Sequence, residues 1–205
     1  MTDLRSRSCE AGKRDTGIMP NYRRAHIPGG TFFFTLVTDQ RLPIFSSEEA
    51  RHLLGETIRE CQLERPFELN AIVLLPDHLH AIWTLPRGDT DYSTRWGIIK
   101  ATFTKRWLAM RKAEAEVTPG RRTERRRGIW QPRFWEHALE DEDDFERHFD
   151  YIHYNPVKHG LVRCPHEWKP SSFHRWVAKG VYPANWACGS GKPPDFTAIE
   201  KTVGE

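Results

Sequence analysis

Residues 67–85 read FELNAIVLLPDHLHAIWTL, two apolar runs on either side of Pro76-Asp77. The first run, 67–75, is rich in large aliphatic and β-branched side chains. The second, 78–85, alternates, and the Pro-Asp turn between them predicts an antiparallel hairpin. Upstream, TFFFTLVT at 31–38 follows Gly29-Gly30 and predicts an earlier strand. Between that strand and the hairpin, Ser46 or Ser47 is placed to cap a helix over 48–63, with Glu49 set for a capping box and Pro66 as the stop. Downstream, a loop at 86–91 leads to Tyr92, Trp96, Ile99, Phe103 and Trp107. Their three- and four-residue steps predict an amphipathic helix to about Met110, with Trp96 and Trp107 facing the core. IWQPRFWEHAL at 129–139 predicts a fourth strand interrupted by Pro132, and a helix follows from about Asp143 to Asn155, ended by Pro156 and Gly160. The order strand, helix, strand, strand, helix, strand, helix predicts an α+β fold, a small antiparallel sheet with helices packed against it.

With 205 residues, 38% hydrophobic and 29% charged, the chain has the length of one domain with tails, and it needs neither disulfide nor metal simply to fold. Residues 1–19 lack apolar periodicity and read as a flexible extension, 20–188 as the folded domain, and 189–205 as a C-terminal tail. Within the domain, AEAEVTPGRRTERRRG at 113–128 reads as a charged insert loop. Cys9, Cys61, Cys164 and Cys188 are far apart and form no Cys-x-x-Cys pair, which suggests neither a zinc ribbon nor a disulfide framework. No signal-like segment and no run of about eighteen apolar residues is present, so a cytoplasmic setting is expected. The net charge of +3 conceals opposite fields: +8 over residues 100–133 and −7 over 136–150. A basic stretch with Trp107 and Trp130 interleaved suits phosphates and unpaired bases, although a solvated helix face plus a charged loop gives the same composition.

Strand alternation puts His78 and His80 on one face, where two neutral imidazoles would make a two-point metal chelate, although a His-x-His triplet taken by itself is most often incidental. Asp77 is placed to orient one of them, or simply to form the turn. In FERHFDYIHYNP (145–156), a helical wheel gathers Phe145, Phe149 and Ile152 on the core stripe. Asp144, His148, Tyr151 and Asn155 fall on the stripe beside it, and Tyr154 faces solvent. Taken alone, Tyr151 reads better as an ordinary half-buried tyrosine and Asn155 as a C-terminal cap.

LLPDHLHAIW, IWQPRFWEHAL and DYIHYNPVKHGLV, in that order, resemble the REP-associated tyrosine transposases, a branch of the single-strand transposases with a histidine-hydrophobe-histidine motif and one catalytic tyrosine. The resemblance runs from about Asn21 to Trp186. It implies a ferredoxin-like sheet flanked by helices, Tyr151 as nucleophile, and His78 and His80 as ligands of Mg2+ or Mn2+. Asn155 stands where mobile relatives use glutamine as third ligand, one methylene longer. The insert at 113–128 has no counterpart in the resemblance. Arg23, Arg24, Arg133, Lys158 and His159 lie near the shared motifs and are implied contacts to the DNA backbone, with Trp130 beside them. Ser171 to Arg175 resembles the segment that helps read the foot of the hairpin, which implicates His174 and Arg175.

The implied reaction is chemically coherent. A phenol with a pKa near 10 becomes a useful nucleophile only if its anion is stabilised. A divalent ion offsets charge at the phosphate as the pentavalent centre forms. The resemblance implies a 5′-phosphotyrosine, a free 3′-hydroxyl that can attack back, hairpins of repetitive extragenic palindromes as substrate, and a monomer acting near the nucleoid, where mobile relatives are dimers. Two other readings use fewer of the features. A metal-dependent phosphodiesterase using water needs only the histidines, and a non-catalytic hairpin-binding protein needs only the basic surface.

Overall fold

Apolar side chains sit at consecutive positions of strand β1 (Thr31–Val37) because both of its faces are covered. In the computed structural model, which describes residues 24–111, 128–189, 195–200 and 203, β1 pairs antiparallel with β3 (His78–Thr84) and with β4 (Trp135–Ala138). Strand β2 (Glu68–Leu74) pairs with β3, so the sheet order is β2-β3-β1-β4, the order of a ferredoxin-like sheet. The expected extension at 1–19, Arg23 and nearly all of the insert lie outside the described residues.

Helices α1 (Glu48–Glu64) and α2 (Tyr92–Arg111) cover one face, over Phe32, Phe34, Leu36, Leu79, Ala81 and Trp83. There Trp83 stacks between Phe67 and Trp96, at 4.0 and 4.1 Å, and Trp96 and Trp107 are buried as their spacing predicts. The Ser47 side chain accepts from the Ala50 amide and caps α1. Helix α3 (Glu142–Lys158), capped by Asp141, covers the other face over Phe33, Ala71, Val73 and Ile82. Two short helices, α4 (Phe173–Ala178) and α5 (Thr197–Glu200), extend that layer. No described helix is long and apolar enough to cross a membrane.

Four features differ from the sequence reading. The fourth strand begins only at Trp135, and Trp130 makes an isolated bridge to Thr38, because Pro132 cannot donate to a ladder. Helix α3 runs through Pro156 to Lys158. So near the helix end the proline costs a single backbone hydrogen bond, and the helix stops at His159 and Gly160, whose φ is +66°. Tyr154 does not face solvent: it is half-buried between Trp186 and Phe196, with ring centroids at 6.4 and 5.6 Å. Finally, Cys164 and Cys188 are joined as a disulfide across 24 residues, a pairing their spacing does not announce.

Candidate active site

His78 and His80 are both almost fully buried on the α3 face of β3, with ring centroids 5.1 Å apart. Their register is set by β1, where Val37 and Thr35 are the respective partners. Each imidazole is held from its Nδ1 side. His78 Nδ1 donates to Asp77 Oδ1 at 2.6 Å, and Asp77 is held in turn by Arg41 at 3.1 Å. Burial alone would raise the Asp77 carboxyl, but hydrogen bonds and charge from His78 and Arg41 outweigh it and hold it below the ordinary aspartate range. His80 Nδ1 lies 3.0 Å from Thr35 Oγ1. That hydroxyl spends its proton on the Val203 carbonyl at 2.6 Å, so Nδ1 of His80 is the donor. In the neutral ring, donation from Nδ1 leaves the lone pair on Nε2, the form in which histidine binds a metal. Two imidazoles so held are a donor pair suited to a divalent ion, and the Asn155 side chain is buried on α3.

Tyr151 projects from α3 toward the same face and is fully buried, 5.6 Å from His80 and 6.2 Å from Phe33 between ring centroids. Lys158, two turns further along the helix, donates from Nζ to the Tyr151 hydroxyl at 2.8 Å and lies 4.9 Å from the ring centroid. Sequence reasoning gave Lys158 to the DNA backbone. Its place beside the phenol was hidden by reading Pro156 as the helix end. His159 likewise stands next to the histidine pair, 5.3 Å from His78.

The C-terminal segment covers this site. The Phe196 ring meets Tyr151 at 5.4 Å, Phe196, Ile199 and Val203 are buried in the same core, and the Val203 carbonyl holds the Thr35 hydroxyl that orients His80.

Two further networks fix α3. His137 Nε2 on β4 and the Glu140 amide donate to Asp144 Oδ2, while His148 Nδ1 donates to the Asp144 carbonyl and lies 3.1 Å from Oδ1. One ligand atom from each of His137, Asp144 and His148 lies within 4.8 Å of the others, a set that could hold a cation, and as they stand the three clamp α3 to β4. Burial pushes the His148 imidazole below its usual value. Deeper in the core, His153 Nε2 accepts from Ser172 Oγ at 2.9 Å, and Nδ1 lies 3.3 Å from the Tyr182 hydroxyl, which donates to Asp150 at 2.5 Å. Burial pushes His153 down to about 3. Helical spacing places Asp144 beside His148, but the joins to His137 and from His153 to Ser172 and Tyr182 cross between elements and have no spacing signal.

The remaining candidate contacts fall into two groups away from Tyr151. Arg24 and Trp130 line a cavity of about 670 Å³ against α2, with Lys100, Lys105 and Phe134, and Arg133 is exposed nearby. Burial, with a contribution from Arg24, pushes Lys100 down to about 8. His174 and Arg175 are exposed at the far end of β2, where Arg175 donates to the Leu69 and Asn70 carbonyls.

The chain is 42% identical over 186 residues to a REP-associated tyrosine transposase of Escherichia coli K12, covering 90% of this chain and 99% of that protein. A putative REP-associated tyrosine transposase of Haemophilus influenzae is 40% identical over 178 residues, covering 87% and 97%. A solved REP-associated tyrosine transposase bound to a REP hairpin matches with a TM-score of 0.71 and 42% identity, covering 88% of this chain and 96% of that one. No family model matches.

Proposed function

The chain belongs to the REP-associated tyrosine transposases, and from that premise we propose that it cuts and rejoins single-stranded DNA at hairpins of the REP type through a covalent bond to Tyr151. The observation that carries this reading is the Lys158 to Tyr151 hydrogen bond at 2.8 Å, beside His80 on the face that also bears His78. A buried tyrosine hydroxyl needs some hydrogen-bond partner, and a cationic one also suits the phenolate that a nucleophile must become.

In the proposed step the phenolic proton leaves to solvent, and the Lys158 ammonium stabilises the phenolate. The phenolate attacks the scissile phosphorus, the bond from phosphorus to the 3′ oxygen breaks, and that oxygen takes up a proton. The products are a 5′-phosphotyrosine and a free 3′-hydroxyl, and the reverse attack rejoins the strand without a nucleotide cofactor. His78, His80 and Asn155 would hold Mg2+ or Mn2+, which supplies charge stabilisation at the phosphate. Asp77 and Thr35 keep both imidazoles in the ligating tautomer. Because the segment through Phe196 and Val203 lies over Tyr151 and Thr35, the strand can enter only when that segment lifts.

The hairpin of the solved relative suggests the partner for this chain as well. Arg24, Trp130 and Arg133 on one side, Lys158 and His159 at the site, and His174 and Arg175 at the end of β2 are the proposed contacts to phosphates and unpaired bases. The test is incubation of the protein with end-labelled hairpin oligonucleotides and either ion. A protease-sensitive protein–DNA adduct is expected, absent in Tyr151→Phe. Cleavage that survives Tyr151→Phe would instead assign the chemistry to water, and binding without cleavage under either ion would leave a hairpin-binding protein.

A further inference from the structure

Away from Tyr151, where α3 ends and the chain turns back, three soft donors meet. Cys164 precedes the 3-10 turn Pro165–Glu167, so the intervening proline projects His166 from the same short turn. Cys188 closes the turn 183–188, its amide bonded to the Asn185 carbonyl. The Cys164 and Cys188 sulfurs are joined, with Cα atoms 4.6 Å apart, and His166 Nδ1 lies 3.6 Å from Cys188 Sγ. All three donor atoms fall within 4.8 Å of one another.

A disulfide accounts for two of these residues, and the His166 imidazole lies against one of its sulfurs as a third donor. The third corner has the chemistry of a metal ligand: two thiolates and one imidazole are a soft, borderline set that favours zinc over the hard ions suited to the phosphate site. Cys164 and Cys188 are half-buried and His166 is exposed, so an ion can enter and a water can complete four-coordination. Cys61, by contrast, is buried among α1 and α2 with its thiol pushed up by burial, and takes no part.

We propose that Cys164, His166 and Cys188, with the cysteines reduced, form a zinc-binding site that anchors the C-terminal segment to the end of α3. A dithiol reductant supplies the two electrons and two protons that convert the disulfide to two thiols and is itself oxidised to a disulfide. Zinc binding then releases both thiol protons to solvent. The corner is thus closed either by a sulfur–sulfur bond or by an ion. Either closure fixes Cys188, eight residues before the Phe196 that lies on Tyr151. The proposal does not depend on the transposase chemistry.

The experiment uses the full-length chain with His78→Ala and His80→Ala, so that the phosphate-side ligands are removed. The protein is reduced anaerobically, loaded with Zn2+ or Co2+ and desalted. About one zinc per chain by mass spectrometry of the metal, and a cobalt-thiolate charge-transfer band in the near ultraviolet, are expected. Adding Cys164→Ser or Cys188→Ser removes both signals, and His166→Ala makes the metal easier to strip with a chelator. Absence of retained zinc and of the thiolate band in the reduced parent overturns the proposal and leaves a disulfide staple. So does zinc content unchanged by both serine variants. Circular dichroism of each variant separates loss of ligand from loss of fold.

Discussion

The Nζ of Lys158 donates to the hydroxyl of Tyr151 at 2.8 Å, across two turns of one helix. On the proposed mechanism this puts a lysine at the atom on which negative charge would develop, which would make Lys158 part of the reacting centre as well as of the phosphate-binding surface. Replacing it by methionine keeps the length of the side chain and removes the charge. Adduct formation should slow roughly a hundredfold, the scale for losing one preorganised donor, with hairpin affinity falling less than the rate. Lys158→Arg should recover part of the rate. A loss of rate fully matched by an equal loss of hairpin affinity would return Lys158 to DNA binding alone.

Truncation after Gly189 removes Phe196 and Val203 from the site and should increase the rate of adduct formation at equal hairpin affinity. Phe196→Ala should do so more weakly, since the Val203 carbonyl still holds Thr35. A rate that falls on truncation, with the fold intact, would mean that the segment completes the site by orienting His80.

The Arg41, Asp77 and His78 chain makes a separable claim about the metal. Losing a group that orients a ligating histidine typically costs about ten- to a hundredfold in metal affinity. Asp77→Ala should therefore raise the Mn2+ concentration needed for half-maximal adduct formation by about that factor, with hairpin binding in the absence of metal unchanged. Equal metal dependence in the variant and the parent would remove His78 Nε2 from the ligand set.

Much of this was legible in the sequence wherever one element carries the signal. Period-two alternation put His78 and His80 on one face, and the wheel of α3 set Tyr151 and Asn155 on the stripe beside the core. Contacts between elements left no such trace: His137 meets Asp144 and His148 across a turn, and Cys164 meets Cys188 across 24 residues. The covering segment was read as a tail because Phe196, Ile199 and Val203 stand among polar residues over too few turns to show a period. Lys158 was lost to a single local rule. Pro156 was read as a stop, and that reading broke the helical spacing that aligns Lys158 with Tyr151.

His153 gives the fold a predictable acid response. Folded, its imidazole is pushed from 6.5 down to about 3 by burial, among Ser172, Tyr182 and Phe173. Unfolded, it titrates near its ordinary value, so between these two values the unfolded chain binds a proton that the folded chain refuses. Stability contributed by the neutral buried ring is fully present above 6.5 and is lost as the pH falls toward 3. The thermal midpoint of the parent should decline across that interval, and His153→Gln, which keeps a polar partner for Ser172 but cannot titrate there, should show a shallower decline from a lower starting midpoint. Parallel curves for the two proteins would show that the acid response arises from other groups, with Asp77 and Asp144, both held below the ordinary carboxyl range, as the next to replace.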